Sequence, residues 1–143
     1  MSKTAEVVTV LFACVQNAGR SQMAAALFNE LVDPLRARAL SAGTRPGPAV
    51  QAEVVEVMRE IGIDLAAAWP RLLTPDLAAQ AALLITMGCG EECPVVPGVR
   101  REDWLLDDPK GRPIADVRRI RDEIRQRVET LARASGWARP AIG

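Results

Sequence analysis

Apolar positions change their period at regular intervals along the chain, and those changes mark out the elements. Residues 6–13 read Glu-Val-Val-Thr-Val-Leu-Phe-Ala, a β-branched and nearly all-apolar run. A strand without polar alternation has both faces covered, which is the condition inside a parallel sheet. Ser21 to Val32 then shifts to helical spacing, with Met23, Leu27, Leu31 and Val32 on one side. Arg36 to Ser41 predicts a second strand, closed by Ala42-Gly43. Gln51 to Ile61 predicts a helix with Val54, Val55, Met58 and Ile61 on its apolar face. Thr74-Pro75 opens another, a capping hydroxyl followed by proline in the first turn. Ala82 to Met87 is a third buried strand. A loop containing Gly, Pro and Cys follows from Gly88 to Gly98, and Val99 to Trp104 predicts a fourth strand at the sheet edge. In the final helix Ile114, Val117, Ile120, Ile124, Val128 and Leu131 step by three or four. Arg118, Arg119, Arg121, Asp122, Arg125 and Glu129 fill its other face, read as solvated, and Gly136 closes it as a left-handed cap.

Strands alternating with helices in this way give an α/β fold: a three-layer sandwich, with a four-stranded parallel sheet flanked by helices. A single domain over residues 1–143 is expected, because Pro46-Gly47-Pro48 interrupts a loop while periodic segments continue on both sides. In such sheets ligands bind beyond the carboxyl ends of the strands.

Composition narrows the chemistry. The 18 basic and 18 acidic residues cancel, so no nucleic-acid partner is expected. The chain has no histidine, which removes Ser-His-Asp hydrolysis, Cys-His proteolysis and His-ligated metals. No metal site and no cofactor are expected. The longest apolar stretch, Leu77 to Met87, is broken by Gln80 and is too short to span a membrane. With no secretory leader visible, a reducing cytoplasm is the expected compartment, and the three cysteines read as reactive thiols.

The most informative segment is the loop after the first strand, Cys14-Val15-Gln16-Asn17-Ala18-Gly19-Arg20-Ser21. A buried strand feeds a short loop, and the loop feeds a helix N-terminus. Small residues at Ala18 and Gly19 let backbone amides turn inward as an anion cradle, aided by the helix dipole. Arg20 adds a planar fork for two oxygens of a tetrahedral oxyanion. Cys14 lies at the floor, where the same positive field favours the anionic form in which a thiol attacks. Ser21 can donate to that thiolate. The plainer alternative is an inert strand-end cysteine with a surface arginine. The apolar strand before the loop and the Ala-rich helix after it favour catalysis.

Asp108, in Asp107-Asp108-Pro109, is a candidate general acid for the departing oxygen. An ordinary Asp-Pro turn accounts for it equally well. Cys89 and Cys93 follow the third strand, whose end should neighbour that of the first. An oxidised adduct on Cys14 could be attacked by Cys89, and Cys93 could then attack Cys89. Two incidental loop cysteines are the alternative.

Together these segments resemble the arsenate reductases built on the low-molecular-weight protein tyrosine phosphatase fold. The resemblance rests on Cys14 to Ala24, Ser41-Ala42-Gly43, Thr86-Met87-Gly88-Cys89, Glu102-Asp103-Trp104 and Asp107-Asp108-Pro109, and it covers nearly the whole chain. It implies Cys14 as the nucleophile on arsenate and Asp108 as the general acid. It implies that Arg20 and the loop residues Val15, Gln16, Asn17, Ala18, Gly19 and Ser21 hold the oxyanion. In the thioredoxin-coupled branch a second and a third cysteine relay the disulfide outward, and Cys89 and Cys93 fit those places. Ala25 stands where members with a structural cation carry glutamate, so that cation is not expected. Besides a non-enzymatic arsenite-binding protein, which would leave Arg20 and Asp108 without a role, two rival functions remain. One is a phosphatase, since phosphate and arsenate are similar tetrahedral anions. The other is a transferase in which mycothiol or glutathione attacks the arseno-adduct.

Overall fold

Residues 6–88 and 96–140 are described by the structure, a computed structural model. The strand predicted first is the centre of the molecule. β1 (Val8–Cys14) lies between β2 (Ala37–Gly43) and β3 (Leu83–Thr86), and β4 (Arg100–Asp103) forms an edge. The order is β2-β1-β3-β4, and every pairing is parallel. Val10, Leu11, Phe12 and Ala13 are wholly buried, as an all-apolar strand requires. The chain leaves β1 first towards β2 and later returns to β3 on the other side. The topological switch point therefore falls at the carboxyl end of β1, where a ligand crevice opens.

The period of two along β1 sorts its side chains between two cores. Val10, Phe12 and Cys14 join the larger one, with side chains from α1 (Arg20–Leu31), α2 (Ala52–Glu60) and the helix formed by Ile114–Ala134. Leu11 and Ala13 face the smaller one, built with Leu73, Leu77, Ala78, Ala81 and Leu84 around α3 (Pro75–Ala79). Thr74 caps α3 as predicted, its hydroxyl accepting from the Leu77 amide at 3.1 Å. The last helix, α4 (Ile114–Ala134), buries Val117, Ile120, Ile124, Val128 and Leu131, and Gly136 takes φ +75° just past its end. β4 is charged along its length, which suits an exposed edge. Its end is tied to β3, where the Thr86 hydroxyl donates to the Asp103 carboxylate; this bond and the Arg101 guanidinium hold Asp103 below the usual carboxylate range. Trp104 then turns inward against Phe12, with ring centroids 5.7 Å apart.

Two expectations about helix faces need correction. Arg121 is not on a solvated face: it is 8% exposed, and it donates to the Val57 carbonyl at 2.8 Å and to Glu60 at 2.9 Å. The same carboxylate takes a two-pronged contact from Arg118 at 2.7–3.0 Å, so the basic cluster clamps α2 onto α4. On α2 the core face is Val54, Val57 and Met58, with Val55 and Ile61 half-buried on its flank. A run of three β-branched residues in four positions leaves the face ambiguous until a neighbouring helix fixes it.

Candidate active site

Parallel pairing of Cys14 with Gly43 and of Ala13 with Thr86 brings three strand ends together. The loop from Cys14 to Gly19 climbs out of this junction. Its carbonyls are turned outward. Those of Cys14, Val15, Gln16 and Ala18 accept from the amides of Thr44, Arg45, Gly47 and Gln51 at 2.8–3.2 Å. With the carbonyls committed to that second segment, the amides face the other way. Those of residues 16–20 have no acceptor among the described residues. An arc of free N–H groups at a helix start is a concave anion site.

The loop can pass so close to β2 because of Gly43. A Cβ there would lie 2.6 Å from the Val15 carbonyl oxygen and 2.8 Å from the Asn17 amide nitrogen. The sharpest bend is at Asn17, which takes φ +52°, a left-handed conformation that asparagine tolerates better than most residues. Asn17 is wholly buried, and both polar atoms of its amide group are bonded. Its Nδ2 donates to Ser21 Oγ at 2.7 Å, while its Oδ1 accepts from Gln22 Nε2 at 3.1 Å and from the Arg71 amide at 2.9 Å. The Ser21 hydroxyl, having accepted from Asn17, has its proton free to point at Cys14 Sγ, 2.9 Å away. Asn17 thus sets the direction of the side-chain hydrogen bond that, among the described residues, reaches the thiol. Asn17 and Ser21 were both expected around the oxyanion. Their side chains stand behind the loop, and neither residue lines the pocket, while the Asn17 backbone amide belongs to the free arc.

Arg20 crosses the open side. Its side chain is 11% exposed, Nη1 donates to the Leu106 carbonyl at 3.1 Å, and Nη2 lies 3.7 Å from Asp108. Gly88 makes room for it: at φ +100°, a Cβ on Gly88 would stand 2.6 Å from Arg20 Nη1. Asp108 is held at the rim by the Lys110 amide, which donates to its Oδ1 at 3.0 Å. Pro109 packs over Gly19, where an added Cβ would come within 2.9 Å of the proline ring.

A pocket of about 280 Å³ results, lined by Cys14, Val15, Gln16, Ala18, Gly19, Arg20, Gln51, Gly88, Asp108 and Lys110. The structure therefore brings Cys14, Arg20 and Asp108 into one cavity, although Asp108 lies 94 positions beyond Cys14 in the chain. Cys89 and Cys93 lie outside the described residues, but Gly88, directly before Cys89, is in the pocket wall. Among the described residues no group of three or more His, Cys, Asp or Glu side chains is placed to hold a metal ion. Sequence reasoning missed Gln51, Gly88 and the Leu106 carbonyl. Gly88 carried a signal, a glycine immediately beyond a buried strand; Gln51 and Leu106 carried none.

Comparison with known proteins supports the same picture. Residues 9–136 match the low molecular weight phosphotyrosine protein phosphatase family. A Halobacterium salinarum protein designated an arsenate reductase is 43% identical over 126 residues, which is 84% of this chain and 87% of that protein. Among solved structures, a thioredoxin-dependent arsenate reductase of Corynebacterium glutamicum superposes with TM-score 0.79 and 36% identity over 92% of this chain. This chain spans only 63% of that protein. A low molecular weight protein tyrosine phosphatase from T. tengcongensis superposes with TM-score 0.79 at 25% identity, covering 89% of this chain and 99% of that one. The chain belongs to the low molecular weight phosphotyrosine protein phosphatase family, and its similarity extends to arsenate reductases within that family.

Proposed function

We propose that this chain reduces arsenate to arsenite, with Cys14 as nucleophile and electrons drawn from thiols. The observation that carries this reading is the pocket wall at Gly88. It sets Gly88 against Arg20 in the pocket that Cys14 also lines, and Cys89 is the next residue in the sequence. The similarity to arsenate reductases supports the choice of oxyanion.

In this reading the loop amides and Arg20 hold the arsenate oxygens, and Cys14 sulfur attacks arsenic(V). An S–As bond forms, and one arsenate oxygen leaves as water with a proton from Asp108. Cys89 thiolate then attacks Cys14 sulfur. The S–As bond breaks with its electron pair staying on arsenic, so arsenite departs as arsenic(III). The two thiols are oxidised to a disulfide. Cys93 attacks Cys89 and frees Cys14, and thioredoxin dithiol reduces the Cys89–Cys93 disulfide. A reducing cytoplasm is the compartment this chemistry needs. No helix among the described residues is long and apolar enough to cross a membrane.

The same cradle takes phosphate, and Cys14, Arg20 and Asp108 suffice to hydrolyse an aryl phosphate slowly. Arsenate-dependent NADPH oxidation, followed with purified thioredoxin and thioredoxin reductase, tests the main reading. Turnover in that system is the expected result. Turnover only with mycothiol or glutathione would replace the relay by a transferase, and phosphatase activity without arsenate reduction in any system would overturn the reading.

A further inference from the structure

Asp108 stands on an exposed loop, yet the proposed reaction needs its proton at one point. Its two carboxyl oxygens are not equivalent. Oδ1 accepts from the Lys110 amide at 3.0 Å, while Oδ2 is the oxygen on the Arg20 side, 3.7 Å from Nη2. An oxygen that accepts a backbone N–H serves as the carbonyl of the neutral acid, which leaves the proton to the other. Oδ2 therefore carries it, facing the arginine of the anion pocket.

That arrangement depends on the turn that follows. The Arg112 amide donates to the Pro109 carbonyl at 3.2 Å, and Gly111 inside the turn takes φ +73°, a conformation open to glycine at little cost. The chain is thereby folded back, and the Arg112 side chain returns to the start of the turn. Its Nε donates to the Asp108 carbonyl at 2.8 Å; the ion pair from Nη2 to Asp107 is longer, at 4.0 Å. The peptide joining Asp108 to Pro109 is thus gripped twice, by the proline ring seated over Gly19 and by the guanidinium on its carbonyl. A residue before proline is already confined to extended backbone. Arg112 itself is not among the residues that line the pocket, so it reaches the chemistry only through Asp108.

We infer that Arg112 is a positioning residue for the general acid: its guanidinium fixes the Asp108–Pro109 peptide and so keeps the protonated Oδ2 at the pocket rim. The inference rests on the role given to Asp108 in the proposed reaction. The same proton serves an oxygen leaving arsenic and an ester oxygen leaving phosphorus.

Aryl phosphates test it, because their leaving groups differ in how much they need that proton. Nitrophenolate departs readily as an anion, whereas phenolate needs protonation, and kcat/KM reports the step that expels either. Asp108→Asn is the reference and should lose about 10²- to 10⁴-fold on phenyl phosphate and much less on nitrophenyl phosphate. Arg112→Met keeps the stem and removes the donors. It should lose about tenfold on phenyl phosphate, the worth of one hydrogen bond, and little on nitrophenyl phosphate. Inhibition by inorganic phosphate should not change. Arg112→Lys restores a donor and should recover part of the loss. Gly111→Ala strains the turn without touching the arginine and should show the same selectivity. Equal losses on both esters in Arg112→Met, or no loss, would overturn the inference while a selective Asp108→Asn left the acid in place. An unselective Asp108→Asn would remove the acid and this inference together. If the parent hydrolyses neither ester, the phosphatase activity is gone but the arsenate step still decides. The rate at which arsenate consumes the Cys14 thiol should then be about tenfold lower in Arg112→Met and partly recovered in Arg112→Lys, and parent rates in both would overturn the inference.

Discussion

Ser21 shows how little of this site is carried by charge alone. Its hydroxyl sits between Asn17 Nδ2 and Cys14 Sγ, with both side-chain bonds under 3 Å. Removing it does two things. It takes away the donor that steadies Cys14 when the sulfur leaves as a thiolate, and it strands the buried Asn17 amide, at about 1–3 kcal/mol for an unmet donor. In aryl phosphate hydrolysis the phospho-cysteine must expel that thiolate in its second step. Ser21→Ala should therefore keep the first-turnover burst of released phenol and slow the steady state by about 10²-fold, the range for one lost stabilising donor. A burst that shrinks in step with the steady state would place Ser21 in the first step instead.

The secondary-structure elements act through contacts that side-chain chemistry does not advertise. β2 ends at Gly43 so that the catalytic loop can rest on its backbone. Gly43→Ala drives a methyl to 2.6 Å from the Val15 carbonyl, and a backbone oxygen there cannot swing aside as a side chain would. Urea denaturation should show a loss of about 1–3 kcal/mol, the ordinary range for overpacking. Denaturation midpoints that match the parent would mean the loop shifts freely.

The clamp between α2 and α4 gives a second, pH-dependent effect. Glu60 is held below the usual carboxylate range, first by its hydrogen bonds from Arg118 and then by those from Arg121. A carboxylate with a depressed folded pKa contributes stability that is complete above its unfolded value of 4.5 and is lost as pH falls through the lower folded value. The gap in melting temperature between the parent and Glu60→Gln should thus be widest above pH 4.5 and narrow as the solution is acidified further. A gap that stays constant through that range would remove Glu60 from the acid response.

On the largest scale, the proposed arsenate reduction and a phosphate hydrolysis would share one cradle and part at the thiols. Hydrolysis returns Cys14 with water, whereas reduction must draw two electrons from a pair of thiols. Cys89→Ser should stop arsenate turnover with arsenic still on Cys14. Cys93→Ser should stop it one step later, with Cys14 linked to Cys89, and both variants should keep aryl phosphatase activity. Mass spectrometry after arsenate treatment and alkylation reads which thiols are joined. Thioredoxin-supported turnover at the parent rate in both variants would eliminate the relay.

The parallel sheet, with its third strand beside the first and its fourth at the edge, was legible because all-apolar strands alternating with helices leave few alternatives. Boundaries slipped by only one or two residues: α1 starts at Arg20 rather than Ser21, and β2 runs on to Gly43. What the pattern hid was long-range. Arg121 looked solvated because its partner, Glu60, lies 61 positions away. Gln51 looked like any helix-opening residue until the Asp108-Pro109 loop folded over beside it.

The bonding around Asn17 also bears on time. Gln22 Nε2 reaches the Asn17 backbone carbonyl and the Trp69 carbonyl, while Arg71, which donates to Asn17, accepts from Gly43 and so joins the sheet. The catalytic loop, the start of α1 and the 69–73 segment are thus stitched at one point. None of them can swing away alone without breaking buried bonds in the other two. Breathing of the cradle becomes a collective and rare event, so the bonded amides that hold it from outside, those of Arg45, Gly47, Gln51 and Arg71, should trade with deuterium at the slow pace of the sheet, while the unbonded amides inside it stay open to exchange.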